Sequence, residues 1–166
     1  VDAGKKVIVT GCLAQKHPEE LKKEVPEVAA IVGATDFTKI IEVLKEMENG
    51  YVCEVSEKPD YVYPEEVERQ QITMGASSYI KIADGCNYRC GYCIIPYLRG
   101  DYHSRKMEVI IEEAKKLVKR GVTEIILIAQ DTTGYGIDLY KKPMLSELLE
   151  ELNKIEGLGW IRVMYA

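Results

Sequence analysis

The sequence predicts an α/β protein in two parts, each built from strands and helices in alternation. Three observations carry this: short β-branched runs recur as strands, amphipathic stretches lie between them, and a polar stretch bearing Pro59 and Pro64 without sustained period divides the chain. Alternation of this kind implies βαβ units and parallel sheets. The first part takes residues 1–55, a linker takes 56–77, and the second part takes 78–166.

In the first part, Lys6 to Thr10 (KVIVT) is apolar and β-branched and ends at Gly11 and Cys12, which predicts a buried strand followed by a turn. Pro18 suits the first turn of a helix through Glu24. Val28 to Val32 is a second strand. Thr35 or Asp36 then caps a helix whose apolar positions Phe37, Ile40, Ile41, Leu44 and Met47 recur at helical spacing, with Gly50 ending it.

The second part opens with a strand from Tyr79 to Ala83 and a cysteine-bearing loop. A helix near Lys106 to Arg120 carries Met107, Ile110, Ile111, Ala114, Leu117 and Val118 on one face and therefore covers a sheet. A strand from Thr123 to Ala129, a polar loop, a helix near Met144 to Ile155 and a strand from Trp160 to Tyr165 complete the pattern. A closed eight-stranded β/α barrel takes about 250 residues, so three such steps can only be a piece of one. Both ends read as cut: a polar tail feeds straight into a strand, and WIRVMYA stops without a turn signal.

Composition bounds the function. Of 166 residues, 46% are hydrophobic and 30% charged, the balance of an ordinary globular chain. No apolar run approaches the roughly 18 residues of a membrane span, and the first residues lack a secretory pattern, so a cytoplasmic protein without a membrane partner is expected. The net charge of -5 weighs weakly against a nucleic-acid surface, which draws on clustered Lys and Arg.

Three of the five cysteines, Cys86, Cys90 and Cys93, fall in one CxxxCxxC stretch directly after a strand. Such clustering in a cytoplasmic chain points to a metal centre rather than disulfides. Three thiolates on a four-iron cluster leave one iron open to a chelating substrate, and loops at the C-terminal ends of parallel strands are where α/β proteins place their sites. The competing reading is a structural zinc site with His103 as fourth ligand, a non-catalytic binding module. The asymmetric cysteine spacing and the intervening IIPY stretch count against it.

With Tyr92 just before its third cysteine, the loop resembles the radical S-adenosylmethionine superfamily. The wider string IADGCNYRCGYCIIPYLRGDYHSR, with AQDTTGYGIDLY and GCLAQ, is similar to the methylthiotransferases within it. The resemblance implies a [4Fe–4S] cluster on Cys86, Cys90 and Cys93 and S-adenosylmethionine on its open iron. The ligand would be contacted by Tyr92, Gln130 and Asp131, with Arg99 and Arg105 meeting its carboxylate or an acidic substrate. It also implies a second [4Fe–4S] cluster as sulfur source; of the three cysteines that hold it in the family, only Cys12 stands here. The small N-terminal α/β domain of the family would end in the first part, followed by an open radical barrel. IADGC with AQDTTGYGIDLY is most similar to the branch that modifies an aspartate of small-subunit ribosomal protein twelve, in preference to the transfer-RNA branch. A flavodoxin- or ferredoxin-like electron donor is implied as a partner. Residue by residue the plain alternatives stay open: Asp131 or Thr132 as a cap, Arg99 and Arg105 as surface charges, Cys12 as a small buried thiol.

Overall fold

The computed structural model describes residues 4–59, 72 and 75–166. They form two compact units: the described residues up to 59 together with Arg89–Gly100, and those from 72 to 88 together with Asp101–Ala166. The expected linker over 56–77 lies, for 60–71, 73 and 74, outside the described residues.

The first unit contains a three-stranded sheet of β1 (Val7–Thr10), β2 (Val28–Val32) and β3 (Val52–Glu54), in that order and all parallel. Parallel neighbours need crossover connections, supplied by α1 (Cys12–Lys16), α2 (Pro18–Glu24) and α3 (Ile40–Glu46). Ile31 packs with Ala14 of α1, whereas its neighbours Ala30 and Val32 pack with Val43 of α3. Successive strand residues point to opposite faces, so the two helices serve opposite sides of β2. That explains why VAAIV reads as a continuous apolar run rather than an alternating one.

The second unit contains β4 (Ser77–Lys81), β7 (Glu124–Ile128) and β8 (Trp160–Val163) as a parallel sheet with β7 in the middle. α5 (Met107–Lys119) precedes β7, and α7 (Leu145–Asn153) joins β7 to β8. Ile110, Ala114 and Leu117 of α5 and Leu148 and Leu152 of α7 bury against Ile80, Ile125 and Leu127 of the sheet. Between β4 and α5 lie β5 (Ala83–Asp84), α4 (Ile95–Arg99) and β6 (His103–Ser104); β5 and β6 pair antiparallel. α4 belongs to the first unit, where it contacts α1.

The α/β class with parallel sheets is thus borne out. Lys81 ends the expected Tyr79–Ala83 strand because Ala83 and Asp84 turn to pair with β6 instead. The expected helix from Phe37 to Met47 is split: Phe37–Lys39 is a 3₁₀ turn and the α-helix starts at Ile40. No helix among the described residues is long and apolar enough to cross a membrane.

Candidate functional site

The cysteine loop leaves the second unit through a fastened turn. Asp84, 4% exposed, accepts a hydrogen bond from Lys81 Nζ (2.8 Å) and one from the Gly85 backbone N–H (3.0 Å). Gly85 has φ 76°, a left-handed conformation suited to glycine. Cys86 follows, buried, in the second unit; Cys90, exposed, and Cys93, half-buried, lie in the first. Arg89 has φ 48°, and the Cys93 N–H donates to the Cys90 carbonyl at 2.9 Å, so the chain turns tightly between these two thiols. Pro96 then sits in the first turn of α4, and Gly100 (φ 78°) ends that helix.

All five cysteines are free thiols. Cys12 is exposed at the first position of α1, and Cys53 is exposed on β3. Tyr92 stands 95% exposed and Arg99 is half-buried at the end of α4.

In the second unit the loop after β7 carries the other expected contacts. Asp131 Oδ1 accepts from both the Thr133 N–H (3.0 Å) and the Thr133 hydroxyl (2.6 Å), which is a turn-capping role. Its carboxylate also hydrogen-bonds Tyr88 and, with its charge, raises that phenol's pKa. Gln130 differs: its Oε1 is buried and has no hydrogen-bond partner among the described residues. Arg105 is 8% exposed, and both terminal nitrogens are engaged, one donating to the Lys81 carbonyl (2.8 Å) and the other to Glu113 (2.7 Å).

Tyr102, Tyr135 and Asp138, which sequence reasoning passed over, join this network. Tyr102 donates to the Asp131 carbonyl (2.7 Å), Tyr135 donates to the Arg105 carbonyl (2.9 Å), and Asp138 accepts from the Ser104 N–H (2.8 Å). Burial, followed by the charges of Asp131 and Asp138, pushes the Tyr102 phenol pKa up, so it stays a proton donor. The density of hydroxyls and turn residues in DTTGYGIDLY was the available signal.

For an iron–sulfur cluster the donor set fits in kind: unpaired thiols in one short stretch, with the orphaned Gln130 oxygen as a group suited to a polar ligand. Among the described residues no group of three or more His, Cys, Asp or Glu side chains is gathered closely enough to hold a metal ion.

Similarity to known proteins agrees with the motif. The chain is 53% identical over 162 residues to the ribosomal protein uS12 methylthiotransferase RimO of Clostridioides difficile (strain 630), covering 98% of this chain and 36% of that protein. It is 51% identical over 162 residues to the same-named protein of Thermoanaerobacter sp. (strain X514), covering 98% and 37%. With that of Gloeothece citriformis (strain PCC 7424) the figures are 48% over 166 residues, covering 99% and 38%. The chain thus spans little more than a third of the length of these relatives. The resemblance to the methylthiotransferases is borne out across almost the whole sequence. The model of the radical SAM superfamily matches residues 80–165, from β4 through β8 and including the cysteine loop. The chain belongs to the radical SAM superfamily, which implies a [4Fe–4S] cluster and S-adenosylmethionine as its cofactors.

Proposed function

We propose that the chain is the cluster- and S-adenosylmethionine-binding portion of a methylthiotransferase that adds a methylthio group to the β-carbon of an aspartate in ribosomal protein uS12. The observation that carries this is the similarity near 50% identity over almost the whole chain to proteins of that name, which spans the cysteine loop and the loop after β7 alike. Similarity to that branch favours a protein substrate over an adenosine of transfer RNA.

Cys86, Cys90 and Cys93 hold the cluster. A cluster held by these thiolates would supply the electron for cleavage of a sulfonium carbon–sulfur bond. The protein's residues bind and orient. Gln130, whose buried oxygen lacks a partner among the described residues, takes the amino-acid part of the ligand together with Asp131. Tyr92 meets the adenine through its backbone, and Arg99 meets a carboxylate of ligand or substrate. Arg105, engaged by Glu113 and Lys81, serves by holding the base of the loop rather than by reaching the ligand. Cys12 is one ligand of a second cluster that provides sulfur. Residues 1–55 close a small N-terminal domain, 56–77 link it, and 78–166 begin the barrel. A flavodoxin- or ferredoxin-like donor supplies electrons, and the setting is the cytoplasm.

Mass spectrometry of ribosomal proteins and of transfer RNA from cells lacking the gene tests the assignment. The methylthio mass is expected to disappear from the uS12 aspartate peptide. A loss from a transfer-RNA nucleoside with uS12 unchanged overturns it.

A further inference from the structure

The exit of the cysteine loop is bound to the loop after β7 by a set of hydrogen bonds that the short strand pair alone does not explain. β5 and β6 share two residue pairs, Ala83 with Ser104 and Asp84 with His103. Beyond them, residues 102–107 make five bonds to residues 131–140. Tyr102 Oη donates to the Asp131 carbonyl, the Ser104 N–H to Asp138 Oδ2, the Gly136 N–H to Ser104 Oγ, Tyr135 Oη to the Arg105 carbonyl, and the Met107 N–H to Tyr140 Oη. The far side of the same loop is secured as well: the buried Thr132 hydroxyl donates to the carbonyls at Met164 and Tyr165, each at 3.0 Å. At the neck itself the Tyr102 N–H donates to the Asn87 side-chain oxygen at 3.0 Å, and the neighbouring Tyr88 is hydrogen-bonded to the Asp131 carboxylate. Asn87 directly follows Cys86 and is solvent-exposed, so no packing demand explains an asparagine there.

We infer that Asn87 and Tyr102 are positioning residues that close the neck of the cysteine loop, with the 131–140 loop as the rigid body against which that neck is held. This rests on the reading that Cys86, Cys90 and Cys93 hold a cluster. The chain leaves the second unit after Tyr88 and rejoins it at Asp101. Without a closed neck, the position of Cys86 and the return of the chain behind Cys93 vary independently, and a three-thiol donor set tolerates little such variation. Groups that orient metal ligands without touching the metal commonly change retention of the metal by about 10- to 100-fold when removed.

The test uses the full chain, reconstituted anaerobically with iron and sulfide, and follows iron release to a ferrous chelator in wild type, Asn87→Ala, Asn87→Asp and Tyr102→Phe. Asn87→Ala is expected to release iron about tenfold faster. Asn87→Asp keeps the acceptor oxygen and is expected to stay within about twofold of wild type, with Tyr102→Phe in between. A parallel measurement needs no cluster: amide hydrogen exchange at Tyr102 in the iron-free chain should speed up in Asn87→Ala and recover in Asn87→Asp. A wild-type release rate for Asn87→Ala, or a rate for Asn87→Asp as fast as for Asn87→Ala, overturns the positioning role while leaving the cluster reading intact. Unchanged Tyr102 exchange in Asn87→Ala overturns the neck closure itself. A wild-type chain that takes up no iron with acid-labile sulfide removes the cluster reading, and the positioning role with it.

Discussion

At the scale of single residues, the difference between a ligand contact and a fastener is decided by where a side chain's hydrogen bonds already go. Arg105 and Arg99 look alike in the sequence, both lying just past the cysteine loop, and nothing in the string RGDYHSR separates them. In the structure the hydrogen bonds of Arg105 go to protein groups. Its N–H donates to the Ile82 carbonyl (2.8 Å), its carbonyl accepts from Tyr135, and its guanidinium spans the Lys81 carbonyl and Glu113. The Arg105 and Glu113 side chains are 7% and 15% exposed, so the pair is largely desolvated. Removing one partner of such a pair leaves the other charge buried and uncompensated. Arg105→Ala should therefore cost on the order of 3 kcal/mol in denaturant unfolding of the full chain. A cost below about 1 kcal/mol would mean that the pair behaves as a surface bridge. The cysteine trio, by contrast, stands out by spacing alone, three thiols in one short stretch, while among the described residues no three His, Cys, Asp or Glu side chains are gathered closely enough to hold a metal ion.

At the scale of elements, the loop after β7 shows why glycine stands where it does in TTGYG. Gly136 has φ 89°, and a Cβ there would lie 2.6 Å from the Met144 Cβ. Gly136→Ala is therefore expected to destabilise the chain by about 1 to 3 kcal/mol and to loosen its N–H bond to Ser104 Oγ. Thermal unfolding together with exchange of the Gly136 amide checks both effects, and a neutral substitution would contradict this account of the loop. Long periodic elements were well legible: α5 was expected over Lys106 to Arg120 and runs from Met107 to Lys119, and β2 was expected and found over Val28–Val32. Their apolar spacing is enforced by burial, which writes itself into the sequence. The short elements α1, β3 and α4, and the helix α6 (Ile137–Tyr140), were not legible. Three to five residues hold too little period to register, and tertiary contacts, such as that of α1 with α4, set them instead. β5 was missed for a related reason: its antiparallel partner lies beyond the cysteine loop, where no local pattern reports it.

At the scale of the whole molecule, each of the two parallel sheets carries its own apolar packing: Ile31 on one face of the first sheet and Val32 with Val43 on the other, and Ile80, Leu127 and Leu148 in the second. Alternation divides the sequence at residues 56–77, whereas in the structure Arg89–Gly100 groups with the first unit. Spacing of residues cannot express that, since it follows from contacts between α1 and α4. The claim on which the functional account turns is that Cys86, Cys90 and Cys93 hold a four-iron cluster whose remaining iron is open to S-adenosylmethionine. Electron paramagnetic resonance of the reduced, anaerobically reconstituted chain tests it most directly, recorded with and without S-adenosylmethionine. The account predicts a [4Fe–4S] signal that changes on adding the ligand and that is lost when the three cysteines are replaced by alanine. A signal indifferent to the ligand, or zinc bound without acid-labile sulfide, would contradict it.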